Sequence, residues 1–442
     1  MSFPRYPKYK DSGVEWLGQV PEQWDIRKVR WLFEIKKRIA NELGFDVFSI
    51  TQQGIKVKDL ESNDGQLSMD YSKYQIVEVG DFAMNHMDLL TGGVDIAGAR
   101  GVTSPDYRVV TLRHFSTSHD RYFLYLFQKA YRNKIFYAYG QGSSQLGRWR
   151  LPTEQFKDFQ FPVPLKAEQE WIAAFLDRET AKIDELVAAQ QRLMDLLKEK
   201  RQAVISHAVT KGLNRNAPMK PSGIEWLGDV PAHWRVMPLG RVTVSRCDGP
   251  FGSGLKSEHY TDSGVRVIRL QNIRRDGFDD SDEAFIDADY YATELSGHDV
   301  VSGDVLIAGL GDDKNTVGRA CVAPAGIEPA MVKADCFRYR LDKAQVLPEF
   351  VATELSASSA ADAGMMSSGS TRSRIPLSVM ATRKLAVPPM DEQKAIADFL
   401  RAESLQFDTL TTEAQRAIDL LQERRTALIS AAVTGQIDVR QT

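Results

Sequence analysis

Short runs rich in valine, isoleucine and aromatic residues, broken by Gly, Asp and Ser, share this chain with two long stretches of helical periodicity. FDVFSI (45–50), YQIVEV (74–79) and YRVVTL (107–112) carry the pattern of strands bounded by turns, and a helix is predicted over 120–132. The theme returns with VRVIRL (265–270), GDVLIA (303–308), FRYRL (337–341) and a helix near 347–355. The long stretches read differently. Ile172, Leu176, Glu179, Ile183, Leu186, Gln190, Leu193, Leu197, Lys200 and Val204 alternate spacings of four and three, which is a heptad seam with three polar breaks. Ile396, Leu400, Glu403, Phe407, Leu410, Ala414, Ala417, Leu421, Arg424 and Leu428 repeat it, with polar breaks at Glu403 and Arg424. Alanines in the second seam permit close approach, so each helix is expected to pack against the other. An antiparallel pairing would set the two globular parts at opposite ends. A helix of about 40 residues spans about 60 Å, between one and two turns of B-DNA, so the pair could serve as a ruler.

The chain contains itself twice. SGVEWLGQVPEQW (12–24) and SGIEWLGDVPAHW (222–234) agree at nine of thirteen positions. VPLKAEQEWIAAFL (163–176) answers VPPMDEQKAIADFL (387–400), and each opens a long helical stretch closing on Ser-x-Ala-Val-Thr. Gly80-Asp81 matches Gly303-Asp304, and Arg150-Leu151-Pro152 matches Arg374-Ile375-Pro376. The offset grows from 210 at the openings to 224 at the helices, so the middle of the second unit has gained residues. The organisation expected is a head over 1–164, a helix over 165–212, a head over 213–388, a helix over 389–435 and a tail over 436–442. The fold class is α+β: two similar mixed α/β domains, each followed by a long helix, the helices pairing as an antiparallel coiled coil with an internal pseudo-two-fold repeat. A shared frame bearing dissimilar loops suggests one task performed on two targets.

Composition narrows the function. At 442 residues there is room for several cores, and no apolar run is long enough to span a bilayer. The N-terminus lacks a secretory pattern, and three scattered cysteines, Cys247, Cys321 and Cys336, fit idle thiols, so a cytoplasmic location is expected. A net charge of −3 counts against an overall basic nucleic-acid binder. The acids, however, gather on the helices (Glu168, Glu170, Asp177, Glu179, Asp184, Glu185), while the heads carry basic clusters such as Arg148 with Arg150, Arg274 with Arg275 and Arg372 with Arg374. The sequence offers no amino-methyltransferase motif, phosphate loop, His-Glu-x-x-His or metal-ligand cluster, so no catalytic residue, metal ligand or bound cofactor is assigned. The glycines of 249–254 lack the strand-to-helix setting of a dinucleotide loop. Trp16, Trp24, Trp226 and Trp234 are assigned to packing.

Taken together, the paired W-L-G-x-V-P-x-x-W openings, the Gly-Asp pairs, the Glu-Gln helix starts (Pro164 to Gln169, Pro388 with Glu392-Gln393) and Gly369-Ser370-Thr371-Arg372 resemble the specificity subunit of a type I restriction-modification system. The resemblance covers nearly the whole chain. It implies two target-recognition domains reading the halves of a bipartite, asymmetric DNA site, and helices that fix the spacer and dock two methyltransferase subunits. Those partners methylate adenine, and a motor-nuclease restriction subunit cleaves unmodified DNA. S-adenosylmethionine, ATP and Mg2+ would then belong to the partners, and this chain alone would be no enzyme.

DNA-facing loops need hydrogen-bonding side chains, Arg favouring guanine and Asn or Gln adenine at base edges, while Lys, Ser and backbone amides hold phosphates. In the first head this points to Gln141, Ser143, Ser144, Gln145, Arg148 and Arg150, followed by Gln52 and Gln53. In the second it points to Gln271, Asn272, Arg274, Arg275, Lys314, Asn315, Ser370, Thr371, Arg372 and Arg374. The rival class is a coiled-coil scaffold whose heads bind proteins. Such heads should offer exposed aromatic and leucine side chains, whereas these loops offer Gln, Ser, Arg and Gly.

Overall fold

In a computed structural model of the chain, residues 3–59, 71–143, 148–251, 254–312, 314–363, 366 and 373–440 are described. They form two compact units, residues 1–191 with 415–442 and residues 192–414. Each unit therefore joins one head to part of both long helices.

The two heads share one frame. In the first, an antiparallel sheet runs in the order Phe33–Lys36, Arg108–Leu112, Phe82–Met84, Val94–Ile96. In the second the order is Thr243–Cys247, Cys336–Leu341, Val305–Ala308, Ala320–Val322, again first, fourth, second and third along the chain. A helix follows each sheet, Asp120–Arg132 and Pro348–Ser358. The strand that begins each head, Asp25–Lys28 or Arg235–Pro238, pairs antiparallel with the one that leads into the long helix, Gln160–Val163 or Lys384–Val387. The central strands are buried on both faces, so their near-continuous apolar runs feed two cores, with Ala83 and Val109 packing beside Val77 on one side. On the other, Phe82, Met84, Val110 and Leu112 join Phe123, Phe127 and Phe161 in the first core.

The repeated motifs prove to be framework. Trp24 and Trp234 are wholly buried, and Trp16 stacks on Phe159 with ring centroids 5.5 Å apart. Gly80 and Gly303 sit at φ 86° and 85°, where side chains are disfavoured. The aspartate that follows accepts the backbone N–H three residues back, Glu78 to Asp81 at 2.8 Å and Val301 to Asp304 at 2.9 Å. Gln169 accepts the N–H of His119 at 2.8 Å and donates to Thr117 and Pro164 carbonyls. Gln393 does the same with the N–H of Leu347 at 2.7 Å and the Gln345 and Pro388 carbonyls. Each glutamine thus fastens the start of a long helix to the N-cap of its head's own helix.

Where the second head has gained residues it forms a five-stranded sheet ordered Tyr260–Thr261, Phe285–Ile286, Val265–Ile268, Ala330–Val332, Asp299–Val300. In the first head the corresponding region is a hairpin, Phe48–Thr51 with Gly54–Val57, and the pair Gln75–Val77 with Gly101–Thr103.

The long helices, Lys166–Lys211 and Met390–Val433, pack together antiparallel. In the first unit Asp184 meets Arg425 at 3.0 Å, and in the second Arg201 meets Asp408 at 2.6 Å. One partner advances by 17 residues as the other retreats by 17, which is the antiparallel register. The seam itself needs correction. Ile172, Leu176, Ile183, Ile396, Leu400, Phe407 and Leu428 are buried and Leu197 and Leu421 half-buried, as expected. Leu186, Leu193 and Leu410, in contrast, are 51%, 43% and 39% exposed. Their places are taken by neighbours one residue on, Val187, Met194 and Thr411. Two four-three stripes that share every seventh residue fit the same periodicity; the shared positions are buried or half-buried, and where the stripes differ these three leucines face outward. Glu179, one of the polar breaks, forms ion pairs with Lys182 and Arg178 of its own helix.

Candidate nucleic-acid interface

In each head the loop that leaves the second strand of the four-stranded sheet gathers the predicted polar loops around it. In the first head this is the segment 85–93, which the sequence reading passed over. The Leu151 N–H donates to the His86 carbonyl and the Leu89 N–H to the Trp149 carbonyl, at 2.9 and 3.0 Å, so the loop lies beside the strand Arg148–Arg150. On its other side Gln52 donates to the Leu90 carbonyl at 3.1 Å. A Cβ on Gly93 would stand 2.2 Å from the Thr51 carbonyl oxygen, so glycine permits that approach. The turn bearing Gln52 and Gln53 and the hairpin bearing Gln141 and Arg150 are thereby brought to one neighbourhood.

The hairpin pairs Gln141–Ser143 with Arg148–Arg150. Gln141 and Arg150 are exposed, Ser143 and Arg148 are placed as strand residues, and Ser144 and Gln145 lie outside the described residues. The hairpin is anchored by Trp149, whose Nε1 donates to the Tyr137 carbonyl at 2.8 Å. A Cβ on Gly140 would fall 2.3 Å from that nitrogen. Arg108, almost wholly buried, donates to the Leu151 carbonyl at 3.1 Å and lies over the Phe156 ring at 4.5 Å. Burial lowers Arg108 to about 10. His86 is pushed down to about 3, first by burial and then by the charges of Arg108, Arg150 and Lys37, so its imidazole is neutral. Positive charge converges here although the chain as a whole is acidic.

In the second head the organiser is Arg319. Its guanidinium donates to the carbonyls of Leu270 and Ile273 at 2.8 and 2.7 Å and to those of Leu310, Asn315 and Thr316 between 3.1 and 3.3 Å. One 4%-exposed arginine thus ties 270–273 to 310–316. Arg274 reaches Asp279 at 3.2 Å and Asn315 at 3.4 Å, while Gln271, Arg275 and Lys314 are exposed. Leu310-Gly311 pairs with Ser373-Arg374, bringing the third predicted loop alongside. Ser370, Thr371 and Arg372 lie outside the described residues.

Asn272 departs from expectation. It is wholly buried, accepts the Arg269 N–H at 2.8 Å and donates to the Asp279 and Asp282 carbonyls at 2.9 and 2.8 Å. Its amide is committed to holding its own loop and has no edge to present to a base. The sequence reading also missed the surroundings of Arg374. The Nε of Arg374 donates to Asp335 at 2.7 Å, and its guanidinium lies over the half-exposed Phe251 ring at 5.1 Å. The glycine-rich stretch that failed as a dinucleotide loop therefore flanks a candidate DNA-facing arginine. No group of His, Cys, Asp and Glu able to hold a metal occurs among the described residues.

Comparison with known proteins sets the chain beside type I restriction specificity subunits. Residues 21–192 match the family described as type I restriction modification DNA specificity domain. The type I restriction enzyme MjaVIII specificity subunit of Methanocaldococcus jannaschii is 21% identical over 98% of this chain and 97% of its own length. The EcoKI specificity subunit of Escherichia coli K12 is 24% identical over 70% of this chain and 63% of its own. A solved chain from work on complex assembly and conformational transition of the type I R-M system superposes with a TM-score of 0.70, at 13% identity over 94% of this chain and 98% of that one. The HsdS subunit of Thermoanaerobacter tengcongensis superposes at 0.53, with the same identity and coverage.

Proposed function

Because this chain belongs to the specificity subunits of type I restriction-modification systems, we propose that its two heads each read one half of a bipartite, asymmetric DNA site. The carrying observation is that equivalent framework positions in the two heads bear different polar loops around the same sheet corner. As candidate DNA contacts, to bases or to backbone, the first head offers Gln52, Gln53, Gln141 and Arg150, with Ser143 and Arg148 in the same hairpin. The second offers Gln271, Arg274, Arg275, Lys314, Asn315 and Arg374. Ser144, Gln145, Ser370, Thr371 and Arg372 belong to the proposal by sequence alone.

The helices are proposed to fix the unread spacer and to dock two methyltransferase subunits. Exposed leucines recur at matched positions 224 residues apart, Leu186 with Leu410 and Leu196 with Leu420, which suits two like partners. Adenine methylation, cleavage by a restriction subunit, and the use of S-adenosylmethionine, ATP and Mg2+ are assigned to those partners. The assembly is proposed to work in the cytoplasm. Among the described residues no helix is long and apolar enough to cross a membrane.

The test is co-expression with the neighbouring methyltransferase and mapping of N6-methyladenine across host DNA at single-base resolution. A split asymmetric motif is expected, lost when this chain is disrupted and altered in one half only when residues 140–150 are replaced. Unchanged or random methylation with no complex recovered would transfer the chain to the scaffold class.

A further inference from the structure

We propose that Arg150 and Arg374 are a matched pair of phosphate clamps, one in each head, which set the register of that head on DNA and read no base. The proposal rests on the DNA-binding reading above. Both arginines occupy the same place in the frame. The residue after each, Leu151 or Ile375, is wholly buried, and its N–H donates at 2.9 Å to the carbonyl of His86 or Gly309, the matching position after the second sheet strand. Each arginine also sits in a two-stranded pairing that fixes its backbone, opposite Gln141 in one head and Leu310 in the other. Both side chains reach solvent.

Arg148 with Arg372 and Pro152 with Pro376 also match on either side, whereas the side chains packed around this frame differ. Trp149 precedes one arginine and Ser373 the other, and His86 stands where the second head has Gly309. A side chain that reads a base should change when the target changes. A side chain that meets the sugar-phosphate backbone finds the same group under every sequence and can stay. Retention at a framework position whose backbone is held the same way in both heads, while the loops before it diverge, is the signature of the second kind.

The local chemistry suits an anion. His86, whose carbonyl takes the Leu151 N–H, is held neutral by burial and by the charges of Arg108, Arg150 and Lys37, so positive charge gathers around this position. Asp335 takes the Nε of Arg374 and Phe251 covers one face of its guanidinium. Among the described residues no hydrogen bond engages its two terminal nitrogens, and the half-exposed side chain leaves them to donate to a phosphate.

The experiment uses the full chain assembled with its modification subunit and two labelled duplexes, one carrying the mapped motif and one scrambled, titrated from about 50 to 200 mM salt. Arg150→Ala and Arg374→Ala should each weaken both duplexes by the same factor. Each should lower the slope of log affinity against log salt by about 0.9, and the double variant by about twice that. The methylation motif should stay unchanged, and Arg150→Lys and Arg374→Lys should retain the slope. An unaltered slope, a loss confined to the motif duplex, or a motif relaxed at one base pair would overturn the clamp while leaving DNA reading intact. A wild-type complex that makes no motif and prefers neither duplex would overturn DNA reading itself.

Discussion

Asp248 and Arg383 show two ways in which the second head accommodates charge below its surface. Burial is the chief influence on Asp248 and raises its carboxyl to about 6, with Asp335 adding to the rise, although the Gly249 and Asp335 N–H groups donate to it at 2.7 and 3.0 Å. The folded head therefore favours the protonated acid. That contribution is complete below the ordinary carboxylate range, near pH 4, and is lost as pH climbs through about 6. Asp248→Asn keeps an acceptor for both N–H groups and removes the titration. Denaturant unfolding of the variant should lose a pH dependence of order 1 kcal/mol between about pH 4 and 6, allowing for solvent screening; an unchanged slope would refute the assignment. Arg383 is wholly buried and bonds Asp362 at 2.8 Å, the Gly318 and Leu355 carbonyls at 2.9 Å and the Ser358 hydroxyl at 3.0 Å. Arg383→Met strands the Asp362 carboxylate and should cost the second head about 3–5 kcal/mol. Replacing Asp362 with leucine as well should recover much of that loss, since a buried pair owes most of its apparent worth to the cost of an unpaired charge.

The helices and strands announced themselves in the sequence because periodicity is a property of whole segments. The helix Asp120–Arg132 and the strands around Val110, Val267, Ile307 and Tyr339 fall where the patterning put them. Seam phase was not legible, because leucines populate two stripes and periodicity cannot say which one meets a partner. The structure places Ile183 inside and Leu186 outside. Ile183→Ala should accordingly cost about 2–4 kcal/mol in urea unfolding, and Leu186→Ala less than about 0.5 kcal/mol; equal losses would restore the original phase. The candidate site was legible in its outer members and hidden in the residues that hold its loops. Arg150, Arg374 and Lys314 advertise themselves as exposed polar residues in glycine-rich loops. Segment 85–93 is mixed in character, with Met87, Leu89 and Leu90 among its residues, and only its backbone bonds to Leu151 and Trp149 reveal its place. Arg319 and Asn272 have the composition of DNA-reading residues, yet burial turns both inward to hold their own loops. Side-chain chemistry alone could not distinguish a reader from a brace.

The order of the chain conceals how the first unit is closed. Its core contains Leu428, Ile429, Ala432, Val433 and Val439 from the far end of the sequence, packed with Tyr6, Trp24 and Tyr122. Tyr9 donates its hydroxyl to the Gly435 carbonyl at 3.0 Å, and the Asp438 N–H donates to the Pro4 carbonyl at 2.8 Å. A Cβ on Gly435, which sits at φ 73°, would lie 2.3 Å from Pro21. The second unit repeats the device with nearer material, since Ala208 and Val209 at the end of the first long helix pack with Leu227, Val230 and Trp234. Each duplicated tryptophan opening is thus sealed by the end of a long helix. For the second head that helix immediately precedes it, and for the first head it is the last element of the chain. A chain cut after Ala427 should therefore damage its N-terminal head and spare the second. Hydrogen exchange should show protection lost over residues 4–24 and 120–132 while 222–234 and 348–358 stay protected. Several fully buried apolar side chains leave the first core with that cut, each worth about 1.5–3 kcal/mol, and the sum is comparable to the whole stability of a domain. Even loss of protection across both heads would mean that the second core depends on the missing segment, and no loss in either would mean that the C-terminal helix end is not part of the first core.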